Sequence, residues 1–162
     1  MTAARAILFP FPPLECRFMS DPAYDALCCY TLAHGDAAFI HQHVVDAQIA
    51  QQADERTKPI GITFALVGLY LHVEHGVSGR DVQRAHMLLA RQKQPWPTFA
   101  LPPTRGAITP ADVMQAPEGP ERDRAIDDWC AAVWREYAAT ARTTIAELLR
   151  RHELERRFPS QQ

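Results

Sequence analysis

Apolar positions between residues 20 and 158 recur every three or four residues, and nowhere do they alternate with a period of two over a convincing length. The pattern predicts helices and no sheet. Asp21-Pro22 opens a first helix by a cap followed by proline, and Gly35 closes it. A second helix is expected from near Asp36 to about Ala53, with the polar stretch Asp54 to Lys58 turning the chain. A third follows Pro59 and ends at Gly76. It carries Leu66, Leu69 and Val73 on one side and Val67 and Leu71 on the other, so it should be the central, most buried helix. Ser78 and Asp81 are spaced as a capping box for a fourth helix through roughly Gln92.

The connection QPWPTFALPPTRGAI holds four prolines and no helical period. Thr109-Pro110-Ala111-Asp112 then caps a short helix that ends before Pro117. A last, long helix is expected from about Glu121 to Phe158, with Ile126, Trp129, Cys130, Val133, Tyr137, Ala141, Ile145 and Leu148 along one stripe. Its acidic start and its arginine-rich end suit the helix dipole. The fold class is all-α: one helical bundle of four principal helices over residues 20–158, with a proline-rich crossover and a long C-terminal helix. Residues 1–19 read as an irregular segment whose Phe9, Phe11, Leu14 and Phe18 can pack on the bundle, and residues 159–162 as a tail.

Composition narrows the class of function. The 162 residues are 47% apolar and 22% charged with a net charge of −2, ordinary values for a globular domain. No basic face points to nucleic acid, and no window approaches the roughly 20 apolar residues of a membrane span. Cys16, Cys28, Cys29 and Cys130 form no Cys-x-x-Cys pair, so reduced thiols and a cytoplasmic location are expected. Phosphate-cradling glycine loops, dinucleotide fingerprints and nucleophile elbows are absent from the sequence.

Candidate chemistry lies on the second and third helices. On a helical wheel His43 falls in the middle of the face formed by Phe39, Ile40, Val44, Ala47 and Ala50, with Asp46 at its edge one turn on. His41 projects to the opposite side. Ala65, Gly68, His72 and His75 form a stripe of small residues ending in two histidines, which lets a neighbouring helix approach and brings His72 toward His43. Imidazole and carboxylate donors converging in a bundle core are a common architecture for a divalent transition metal, so His43, Asp46 and His72 are the candidate ligands. The bland alternative is a buried histidine satisfied by its surroundings.

The order His43-Val44-Val45-Asp46-Ala47, Leu66-Val67-Gly68-Leu69-Tyr70-Leu71 and Glu74-x-Gly76 resembles an uncharacterised bacterial family of small helical proteins. The likeness continues through Trp96-Pro97, Pro102-Pro103, Gly106, Thr109, Asp112-Val113, Trp129, Val133 and Trp134, and covers roughly residues 20 to 149. The resemblance implies a helical fold and no activity. Relatives tend to carry a histidine where this chain has Ala65, another where it has Gln51-Gln52, and a Cys-x-x-Cys motif near Cys16. Any metal site built from those residues is incomplete here.

Two functions follow as expectations, and neither identifies a reaction, a catalytic residue or a small-molecule substrate. One is a metal-binding helical protein using His43, Asp46 and His72. The other is a non-catalytic interaction or accessory protein, in which the segment Pro95–Pro103 presents Trp96 and Phe99 to a protein partner or to a second copy in a homodimer.

Overall fold

The structure is a computed structural model and describes residues 21–158. Cys16, the 1–19 segment and the 159–162 tail lie outside these residues. The elements are α1 (Pro22–Ala33), α2 (His41–Gln51), α3 (Pro59–His75), α4 (Gly79–Ala90), α5 (Pro110–Gln115), α6 (Pro120–Arg151) and a single turn, α7 (Leu154–Arg157). No strand occurs among the described residues, and none of these helices is long and apolar enough to cross a membrane.

Caps set most of the boundaries. Asp21 accepts from the amides of Ala23 and Tyr24 at the start of α1, and Thr109 and Asp112 form a full reciprocal capping box on α5. At α4, Ser78 accepts from the Asp81 amide. Gly76 ends α3 in the left-handed conformation, φ +64°. Two boundaries depart from the sequence expectation. The second helix begins at His41 rather than near Asp36, because the Asp36 carboxylate ties the amides of Ala38 and Ile40 into a turn and Phe39 takes φ +59°. The long helix stops at Arg151 rather than running to Phe158. Glu153 adopts φ +57°, which turns the chain so that Leu154 is buried rather than carried outward.

α3 is the centre of the bundle, as its two-sided apolar pattern requires: Ile62, Thr63 and the whole run Ala65–Leu71 are buried. It packs on α2, α4 and α6, and α1 packs on α5 and α2. The α6 stripe from Ile126 to Leu148 is buried along its length. Polar ties fasten the outer elements. Tyr30 Oη donates to Asp123 Oδ1 at 2.8 Å and accepts from the Gly119 amide at 3.0 Å, joining α1 to the start of α6. Replacing Tyr30 by Phe should cost about 1 kcal/mol, the usual net value of such bonds, and lower the thermal midpoint by roughly 2–4 °C. Calorimetry of the purified variant checks this.

Candidate functional site

α2 and α3 bring His43 and His72 together. Their rings lie face to face, with centroids 3.6 Å apart and planes 18° apart. His72 Nε2 is 2.9 Å from Asp127 Oδ1 of α6, so one short chain of side chains links three helices. His43 is buried, and desolvation, with smaller contributions from His72 and His86, pushes its pKa down to about 2. It is therefore a neutral imidazole against which His72 rests. His86 of α4 stacks on Phe64, and burial lowers its pKa to about 4.

Asp46 meets the same stripe of α3 one turn away from His72, at Gly68. Its Oδ1 accepts from Gln42 Nε2 at 3.1 Å, and its Oδ2 occupies the place where a side chain of residue 68 would be. A Cβ built on Gly68 would come within 1.9 Å of Oδ2. Burial raises the Asp46 pKa well above the ordinary carboxylate value, with the Gln42 bond opposing it. The same burial, with Asp127 and Asp46 adding to it, raises the thiol pKa of Cys130, which points at the His43 carbonyl. Cys28 is likewise pushed up by burial, and Cys29 is exposed.

The structure thus seats His43 against His72, as the stripe of small residues suggested, and hydrogen-bonds Asp46 to neither. Imidazole lone pairs lie in the ring plane, so stacked rings direct them side by side rather than toward one ion. Among the described residues, no group of three or more His, Cys, Asp or Glu side chains is arranged to hold a metal ion. His43, Asp46 and His72 do not form such a group as placed. Wheel geometry put His43 and Asp46 on one face, and they meet one stripe of α3, but a turn apart, at His72 and Gly68. Asp127, 55 residues from His72, was not selected from sequence, since nothing local distinguishes it from the adjacent Asp128.

The crossover forms the second feature. Trp96 sits edge-on against Phe64, 5.3 Å between centroids, and is half-buried. Its ring belongs largely to the bundle. Phe99 and Leu101, together with Pro59 and Ile62 of α3, line an open groove of about 410 Å³ whose rim includes Asp54 and Glu55. Farther along, Gln51 is buried and fully used. Its Nε2 donates to the carbonyls of Ile108 (2.8 Å) and Arg105 (3.2 Å), and its Oε1 accepts from Trp129 Nε1 (3.0 Å). An indole N–H in a core needs an acceptor. That requirement was legible in Trp129, although its partner was not.

The sequence model of a family of unknown function, DUF5946, matches residues 19–138. The chain belongs to DUF5946. Its histidine pair, the Asp46–Gly68 contact, the groove and the Gln51 clasp all lie inside the DUF5946 match, whereas the end of α6 after residue 138 and α7 lie beyond it. No curated protein and no solved structure matches the chain.

Proposed function

We propose that this chain is a non-catalytic binding protein whose working surface is the groove between the start of α3 and the proline-rich crossover. One observation carries the reading: Phe99 and Leu101, half-buried where they pack on the core, also line an open cleft of about 410 Å³. A cleft with an apolar floor and a polar rim is the usual form of a recognition site. Phe99, rather than Trp96, is the residue to change, because Trp96 helps to cover Phe64. Phe99→Ser should leave helical content by circular dichroism intact and abolish recovery of a protein that co-purifies stoichiometrically with the natural chain from its own cells. Equal recovery with the variant, or no partner with the natural chain, would refute the reading.

A second reading keeps a divalent transition metal at His43, Asp46 and His72. It is favoured by two buried atoms able to ligate, His43 Nδ1 and Asp46 Oδ2, which have no hydrogen-bond partner. It requires the imidazoles to leave their stacked arrangement and His72 to release Asp127. Elemental analysis of protein purified without chelator and then reconstituted decides it. One equivalent that is lost in His43→Ala supports a centre, and a ratio near zero ends the reading.

A further inference from the structure

Resting on the groove reading, we infer that the occupant is an extended peptide segment carrying apolar side chains and at least one Lys or Arg. Three observations meet at the same place. The first is the floor, Pro59, Ile62, Phe99 and Leu101, which can take one or two apolar side chains of a partner. The second is charge. Asp54 and Glu55 stand at the groove, while the basic residues of the same turn, Arg56 and Lys58, do not line it. Asp54 accepts from the Arg56 amide and from Thr57 Oγ1 within its own turn, and the Arg56 bond first among these holds its carboxyl below the ordinary value. Glu55 is exposed. Two carboxylates beside an apolar slot favour a cationic side chain over a neutral or acidic one.

The third observation concerns the backbone. Between Lys93 and Ile108 no peptide group makes a backbone–backbone hydrogen bond with any described residue. Among the described residues the crossover is tied down through carbonyls and side chains: Pro97 accepts from Thr63, Arg105 and Ile108 accept from Gln51, Thr104 donates to Glu136, and Gln94 meets His152. The amides of Thr98, Phe99, Ala100 and Leu101, next to the groove floor, have no partner among the described residues. A row of such donors and acceptors is what an added extended chain uses for affinity, while pockets for its alternate side chains give specificity. A folded helix, its own backbone groups paired internally, would leave that row unused.

The test uses the full chain and three fluorescein-labelled decapeptides, one alternating Leu and Arg, one alternating Leu and Glu, and one alternating Ser and Arg. Fluorescence anisotropy should show the Leu/Arg peptide binding at least about tenfold more tightly than either other peptide, the gap that lost apolar anchoring or reversed charge produces at an interface. Glu55→Lys should weaken the Leu/Arg peptide by about fivefold, within reach of one exposed charge reversal. Phe99→Ser should abolish the preference for Leu. In a ¹⁵N spectrum the amides of residues 98–101 should shift on binding of that peptide. Equal affinity for the Leu/Arg and Leu/Glu peptides, with both lost in Phe99→Ser, would overturn the cationic occupant and leave the groove reading standing. Leu/Arg binding unchanged in Phe99→Ser, or without shifts at residues 98–101, would overturn both.

Discussion

Gly68→Ala should lower stability by about 3 kcal/mol, the upper end for inserting a methyl into a close-packed site, and the thermal midpoint by roughly 6–12 °C. The added Cβ would stand 1.9 Å from Asp46 Oδ2 and 2.5 Å from its Cγ, distances no packed side chain tolerates. Asp46 cannot easily yield. It is buried, its side chain has a single carbon before the carboxyl group, and Gln42 holds the other oxygen. Backing α3 away would instead open the contacts of Leu66, Val67 and Leu69, all buried in the core. The double variant Gly68→Ala with Asp46→Ala separates this contact from generic helix effects. Removing the carboxyl frees the space, so the pair should be less destabilised than the sum of the singles by about 2 kcal/mol. Additive single effects would show that the α2–α3 spacing does not depend on this contact. Isolated helix propensity predicts the opposite sign, since Ala is the better helix former.

The second large effect is acid sensitivity from His43 and His86. Their folded pKa values, about 2 and about 4, lie below the 6.5 of an unfolded chain. Between the folded and unfolded values the unfolded state binds more protons, so stability is complete above about pH 6.5 and falls as pH drops below it. Each histidine contributes a slope of about 1.4 kcal/mol per pH unit, until about pH 4 for His86 and to lower pH for His43. Asp46 works in the other direction. Its folded pKa is raised above 3.8, so the native state holds that proton more firmly and its contribution declines as pH rises past the unfolded value. Two histidines outweigh one carboxyl between pH 4 and 6.5, and the net result is loss toward acid. Urea midpoints at pH 7.5, 6.5, 5.5 and 4.5 measure the slope. His43→Phe, which keeps a ring against His72, should lower the slope by about 1.4 kcal/mol per pH unit between pH 6.5 and 4.5, and Asp46→Asn should raise stability at pH 7.5. An unchanged slope in His43→Phe would refute the assignment.

Much of this architecture was legible because helix signals are local. Asp21-Pro22, Thr109-Pro110 and Gly76 mark ends through bonds made within a few residues, and the α6 stripe announces its own buried face. The two misplaced boundaries involve residues that local rules do not favour there, since Phe39 and Glu153 take positive φ without being glycine. At Glu153 the gain that drives the turn is burial of Leu154, a tertiary effect the continuing period conceals. The candidate site divides in the same way. Proximity of His43 and His72 followed from small residues on α3, whereas the Asp127 partner, the seat of Asp46 over Gly68 and the triple use of Gln51 join positions whose separation along the chain carries no pattern. Trp96 and Phe99 looked equivalent in the crossover. Phe64 takes up the indole and leaves the phenyl ring at the groove.

Gln51 gives the crossover its mechanical character. One amide group on α2 serves two carbonyls of the connection and the indole of α6, so releasing the Arg105–Ile108 end would leave the buried Gln51 Nε2 without acceptors and loosen the group that holds Trp129. That end cannot swing as an independent flap. It should come loose only when the bundle itself opens, in a single cooperative unit, and exchange of the Trp129 indole N–H that Gln51 holds should report the global unfolding equilibrium. The stretch from Lys93 to Leu101 is fastened separately, by Trp96 against Phe64, by the Thr63 hydroxyl on the Pro97 carbonyl and by Gln94 on His152, so a guest held there leaves the Gln51 clasp undisturbed.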